Sequence, residues 1–181
     1  MLSAGWLIAA VLVAILLTTW VTFTLTRLDR LHARVDAAQA ALDAQLVRRA
    51  AALLHLAEMP GSGIAPDTAL DLAVVAHEAM AVNPDDRQAV ENQVGRSIAG
   101  LVQQRSTLPI EPAGELSEAA TRVLIARRFY NDAVRDTRTL RSRRMPRLLH
   151  LAGNRELPQF FDIDDTSLFA EVPAAISKPI S

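Results

Sequence analysis

The sequence predicts an all-α chain of 181 residues: an N-terminal transmembrane helix that continues into an antiparallel four-helix bundle, followed by an extended C-terminal tail. Three observations predict it. Residues 2–26 carry no charged side chain; apolar residues recur at three- and four-residue spacings through most of the chain beyond them; β-branched and aromatic residues nowhere cluster in alternating runs. The same pattern divides the chain into an anchor over 1–26, a helical bundle over 27–152 and a Pro-containing tail over 153–181.

At ~1.5 Å of rise per residue the uncharged run reaches about 37 Å, enough to cross a hydrocarbon core of about 30 Å with some tilt. A cleaved secretory signal needs a basic n-region, a shorter apolar stretch and a small-x-small cleavage site. Here no Lys or Arg precedes the apolar run and bulky residues fill its end, so it reads as a retained anchor. Trp6, Trp20 and Phe23 bracket it as interfacial or partner-facing anchors. Arg27, Arg30 and Arg34 come directly after it, which orients the short N-terminus outward and leaves the bulk of a single-pass inner (plasma) membrane protein in the cytoplasm. The absence of cysteine agrees with a reducing compartment.

The first soluble segment prolongs the span. Leu28, Leu31, Val35, Ala38, Leu42, Leu46, Leu53 and Leu56 form one stripe, and neither Gly nor Pro interrupts Trp6 to Met59, which predicts one rod of roughly 55 residues and about 80 Å. Pro60-Gly61-Ser62-Gly63 breaks it. A second helix starts near Pro66-Asp67, with Leu70, Val74, His77 and Ala81 at helical spacing. Asn83-Pro84-Asp85-Asp86 reads as a cap, a first-turn proline and two carboxylates opening a third helix, whose face carries Val90, Val94, Ile98, Leu101 and Val102. Helices two and three fit either a hairpin or one kinked rod. After a linker from Pro109 to Gly114, a fourth helix over about 115–144 buries Leu116, Ala120, Val123, Leu124, Tyr130 and Val134. The tail combines Pro158, Pro173 and Pro179 with Phe160, Phe161, Phe169 and several aspartates and reads as mostly extended. Phe160 and Phe161 are its expected docking point on the bundle, because adjacent exposed aromatics are costly; the rival reading docks them on a partner.

Net charge of −1 excludes a global nucleic-acid signature. All cationic residues except Lys178 are Arg, a bias that reads as codon usage before it reads as phosphate binding. Charge is unevenly placed: Arg122 to Arg147 is basic, including a patch of Arg135, Arg138, Arg141, Arg143, Arg144 and Arg147, whereas Glu58 to Glu118 is acidic. The patch suits pairing between helices, an acidic protein partner or anionic lipid; it lacks interleaved aromatics, so nucleic acid is not expected. Arg48 and Arg49 on one helix, and Arg127, Arg128, Tyr130 and Asn131 on another, form a candidate polar network or partner-binding surface that draws in Gln45, Asp43 or Glu91. No paired carboxylates converge with an activated nucleophile, so no catalysis, small-molecule substrate or cofactor is expected. His55 and Glu58 share a helix face, but a bundle metal site needs a second such pair; His32, His55, His77 and His150 read as surface or boundary residues. Asp162-Ile163-Asp164-Asp165 lacks the turn glycine and terminal glutamate of a calcium loop.

Leu42-Asp43-Ala44-Gln45-Leu46-Val47-Arg48-Arg49-Ala50 resembles the Leu-Asp-x-Gln-Leu-x-Arg-Arg block of the LemA family. Glu91-Asn92 is similar to a pair carried there, and Ile125-Ala126-Arg127-Arg128-Phe129-Tyr130-Asn131-Asp132-Ala133-Val134 is similar to its Ala-Arg-x-x-Tyr-Asn-x-Ala-Val block, followed by Pro146 and Phe160-Phe161. The chain departs from the pattern at Leu54-His55, where the family usually has Pro-Asn, at Thr137-Arg138, where it has a second Tyr-Asn, and near Gln39, where it has an aromatic. The resemblance implies a bacterial single-pass membrane protein with a helical bundle inside and a short N-terminus outside. It also implies no catalytic activity and roles in membrane organisation or beside membrane proteases. The expected function is therefore a non-catalytic scaffold or accessory subunit bound to integral membrane partners, in an energy-transducing or protease complex. The alternatives are a self-associating, lipid-organising protein and, weaker, an enzyme or metal site in the bundle core.

Overall fold

The computed structural model describes residues 4–83, 86–102, 107–142 and 156–164. Among the described residues the chain is all-helical, with no strand: α1 (Ala4–Glu58), α2 (Pro66–Ala81), α3 (Arg87–Val102) and α4 (Ile110–Ser142). α1 runs unbroken for 55 residues because no proline withdraws an amide and no glycine loosens the backbone between Trp6 and Met59. It stops where Pro60 is followed by Gly61 and Gly63 at φ of 79° and 75°. The Ser62 amide closes this turn on the Met59 carbonyl at 3.2 Å. A Cβ on Gly63 would stand 3.0 Å from the Thr107 carbonyl oxygen, so both backbone and space require glycine there.

Pro66 occupies the first turn of α2, where its missing amide costs nothing. Two helix starts differ from the sequence expectation. α3 begins at Arg87, not at the Asn83-Pro84 step: the Val90 amide donates to the Asp86 carbonyl at 3.2 Å, which makes Asp86 the N-cap residue. Pro84 and Asp85 lie outside the described residues. α4 begins at Ile110, about five residues early, with the Ala113 amide on the Pro109 carbonyl at 3.1 Å. Pro112 thus falls in the first turn, where an amide has no intrahelical acceptor to lose. What reads as a linker is the opening of the helix.

The chain divides into two compact units, Met1–Gln39 with Phe129–Phe160 and Ala40–Arg128 with Phe161–Ser181. In the first, Leu28 and Val35 of α1 and Val134, Thr137 and Leu140 of α4 are buried, and Arg34 pairs with Asp136 at 3.0 Å on the surface. The second holds a core built from Leu53 and Leu56 of α1, Leu72, Val75, Ala76 and Ala79 of α2, Val90, Val94, Ile98 and Leu101 of α3, and Leu116 of α4. α2 and α3 pack against each other, so they form a hairpin rather than a kinked rod.

The α1 stripe is buried at Leu28, Val35, Leu42, Leu46, Leu53 and Leu56 and half-buried at Leu31 and Ala38. On α3 and α4 the described residues of the expected faces are buried as well. α2 is the exception: Leu70, Val74, His77 and Ala81 are exposed, and the opposite face enters the core. Alanines and branched residues surround this helix, so two apolar stripes fit its sequence and packing on α3 selects one. Replacing Leu72 or Leu53 with alanine should cost about 2–5 kcal/mol, whereas Leu70→Ala should stay within ~0.5 kcal/mol. Thermal unfolding of the three variants in one detergent checks this; equal costs at positions 70 and 72 would refute the face assignment.

Candidate functional site

Arg49 of α1 and Glu91 of α3 form an ion pair with side chains 1% and 0% exposed. Arg49 Nη2 donates to Glu91 Oε2 at 2.6 Å and approaches the Glu91 carbonyl at 3.4 Å. Arg87, one turn before Glu91, places Nη1 3.7 Å from Glu91 Oε1 and Nη2 3.9 Å from Asp43 Oδ1. The same Nη1 donates to the Ala79 carbonyl at 2.9 Å, near the C-terminus of α2 where orphan carbonyls and the helix dipole favour a cation. Two acidic residues and two arginines therefore pin α1, α2 and α3. Gln45 lies half-buried one turn before Arg49 and its Oε1 has no hydrogen bond.

The second polar feature is an extended segment held by α4. In the first unit, Arg141 Nη1 donates to the Glu156 carbonyl at 3.1 Å, Arg138 Nε to the Pro158 carbonyl at 2.8 Å and the Tyr130 hydroxyl to the Gln159 carbonyl at 2.8 Å. The Arg138 guanidinium also lies 5.0 Å from the Phe160 ring centroid, within cation–π range. In the second unit, Arg127 Nη1 donates to the Ile163 carbonyl at 3.2 Å, and the Asp164 amide donates to Asn92 Oδ1 at 2.7 Å. α4 thus holds the segment mainly by its carbonyls, with side-chain contacts at Phe160 and at Asp162, whose Oδ1 is 3.8 Å from Arg127 Nη1. Ile163 is its buried apolar residue at 5% exposure, whereas Phe160 is 39% exposed and Phe161 half-buried.

The residues singled out from sequence are distributed over these features. Arg49 meets Glu91, while Arg48 points to solvent. Arg127 and Tyr130 hold the tail, Asn131 is half-buried and Arg128 is exposed. Within the basic patch, Arg135 pairs with Asp132 at 2.7 Å and Arg138 and Arg141 bind tail carbonyls; Arg143, Arg144 and Arg147 lie outside the described residues. Trp6, Trp20 and Phe23 are 71%, 36% and 68% exposed. His32 is buried and its Nδ1–H donates to the Leu28 carbonyl at 2.9 Å, deeper than the surface or boundary position read from sequence; His150 lies outside the described residues. His55 faces Glu115 at 3.5 Å on the surface, and among the described residues no three His, Asp or Glu side chains gather as a metal ion requires. Sequence reasoning missed Arg87, Asn92 as a tail acceptor and Ile163. Only Arg87 left a signal, its four-residue spacing to Glu91.

No family model matches the chain, and no curated protein or solved structure matches it.

Removing one partner of the buried pair, by Arg49→Met or Glu91→Leu, should cost about 3–5 kcal/mol, and the double variant should recover most of that loss. A double-mutant cycle by chemical unfolding measures the coupling; additive losses would mean that the pair does not interact. Arg138→Ala should speed chymotryptic cleavage at Phe160 about tenfold with little change in the unfolding midpoint. Unchanged cleavage would show that Arg138 does not hold the segment.

Proposed function

We propose that this protein is a membrane-anchored, non-catalytic scaffold or accessory subunit of a larger membrane protein complex. In this reading the first part of α1 crosses the inner membrane with the N-terminus outside, and the four helices complete an antiparallel bundle of the LemA kind in the cytoplasm. The observation that carries it is the exposure of the apolar start of α1. Trp6, Leu7, Ile8, Leu16 and Phe23 are between 59% and 71% exposed, and in the most apolar 18-residue stretch of the helix only 6% of residues are buried. Burying one such side chain is worth about 1.5–3 kcal/mol, so a continuous sleeve of them in water is a large penalty that lipid removes. The helix already satisfies its backbone groups internally, as a membrane demands.

Partner binding rather than catalysis is supported by where the polar groups are spent. Arg49, Arg87, Arg127, Arg138 and Arg141 each bind groups of the chain itself, while Leu70 and Val74 stay 66% and 58% exposed one turn apart on α2. A second reading, a lipid-organising protein, is favoured by Arg27 and Arg30 beside the span, which make no hydrogen bond or ion pair among the described residues.

Purification in mild detergent through a C-terminal tag should recover an integral membrane protein in stoichiometric amount; a pure homo-oligomer would overturn the accessory-subunit reading. The chain has no cysteine, so orientation is testable with single substitutions. Ser3→Cys should react with an impermeant maleimide on intact cells and Ser117→Cys only after lysis. The reverse pattern would overturn the topology.

A further inference from the structure

Thr18, Thr22, Thr26 and Arg30 recur at every fourth position of α1, and with Phe23 and Arg27 they line an open groove of about 710 Å³. The hydroxyls of Thr18 and Thr26 donate back to the carbonyls of Ala14 and Thr22 at 2.8 and 2.9 Å, so their protons are already used. The upper groove is thus lined by methyl groups, an aromatic ring and the satisfied hydroxyls of Thr18 and Thr26, with the Thr22 hydroxyl its one polar group not bonded within the helix. Its foot differs: Arg27 and Arg30 are exposed and, among the described residues, have no hydrogen bond or ion pair, whereas Arg34 is paired with Asp136.

The dimensions match one lipid leaflet. Thr18 to Thr26 covers about 12 Å of helix, within the ~15 Å depth of half a hydrocarbon core, which sets Arg27 and Arg30 at the level of the phosphates. We infer that this face binds an anionic phospholipid, with its phosphate on Arg27 and Arg30 and an acyl chain along Thr18, Thr22 and Phe23; the inference rests on α1 crossing a membrane. A second copy of the chain is the rival occupant, since small residues four apart also suit helix pairing. A parallel pair through this face would bring the four arginines together without counter-charge, which favours the lipid. A free phosphate would match the arginines but leave the apolar groove unused.

The test uses the full-length chain carrying Trp6→Phe, Trp20→Phe and Phe23→Trp, so that the sole tryptophan lies in the groove, in phosphatidylcholine nanodiscs doped with brominated phosphatidylglycerol or brominated phosphatidylcholine. Quenching of that tryptophan should report a preference for phosphatidylglycerol of about tenfold or more. Arg27→Gln/Arg30→Gln should bring that ratio near one, and Thr18→Leu/Thr22→Leu, which fills the groove, should lower it with the arginines intact. Equal quenching of the parent by both lipids would overturn the site while leaving the anchor in place. Quenching by neither, with release by alkaline carbonate, would overturn the anchor itself. Abolition of the preference by millimolar inorganic phosphate would reassign the arginines to a soluble anion, and a dimer lost in Thr18→Leu/Thr22→Leu would reassign the groove to a second copy.

Discussion

The Arg49–Glu91 bond is the interaction on which the arrangement of the second unit depends. Two opposite charges removed from water are each costly, and the penalty is offset only if the partners meet in good geometry. At 2.6 Å and with almost no exposure, the pair permits one axial register between α1 and α3, since a slip of one turn would leave both charges buried and unpaired. Hydrophobic contacts alone would not discriminate so sharply, because apolar side chains of similar size recur every three or four residues on both helices, Leu and Ala on α1 and Val90, Val94 and Ile98 on α3. Arg87 extends the same constraint to α2 by combining a charge contact with Glu91 and a bond to the Ala79 carbonyl.

Adjacent residues of α3 divide the labour. Glu91 turns into the unit to meet Arg49, while Asn92 accepts the Asp164 amide and fixes the returning tail. Among the described residues, the 156–164 segment is bound mainly through backbone groups and the buried Ile163, with little apolar burial at Leu157 or Phe160. Such binding is directional and contributes less stability per residue than core packing, since each exposed or half-exposed hydrogen bond replaces one to water. At the other end of the chain the balance is reversed: α1 exposes apolar side chains and satisfies the hydroxyls of Thr18, Thr19, Thr24 and Thr26 on its own carbonyls, the combination that suits lipid.

Several elements were legible in the chain because a strong local rule governed them. The C-terminal end of α1 could be placed from the Pro60-Gly61 break, and its buried stripe from spacing alone. Other readings failed where two local solutions were equivalent. α2 is apolar on both sides, so periodicity could not tell Leu70 and Val74 from Leu72 and Val75. Pro112 and Gly114 act as breakers in a helix interior but are tolerated near a helix start, so the beginning of α4 was placed too late. The phenylalanines suggested an apolar dock for the tail, whereas Ile163, a single apolar residue between two aspartates, is the one that is buried.

Helicity, the apolar N-terminal run and the kinds of polar group available were fixed by local chemistry: hydrophobic period, breakers and charge are properties of neighbouring residues. Partner choice was not. Arg48 and Arg49 look alike in the chain, yet one is exposed and the other fully buried, because a rotation of about 100° between successive helix positions sends one toward α3 and the other to water. Likewise Arg127, Arg138 and Arg141 could serve lipid, protein or their own chain, and only the return of residues 156–164 along α4 commits them to carbonyl groups of the chain itself. These choices depend on contacts between residues 15 to 42 positions apart, which no local pattern encodes.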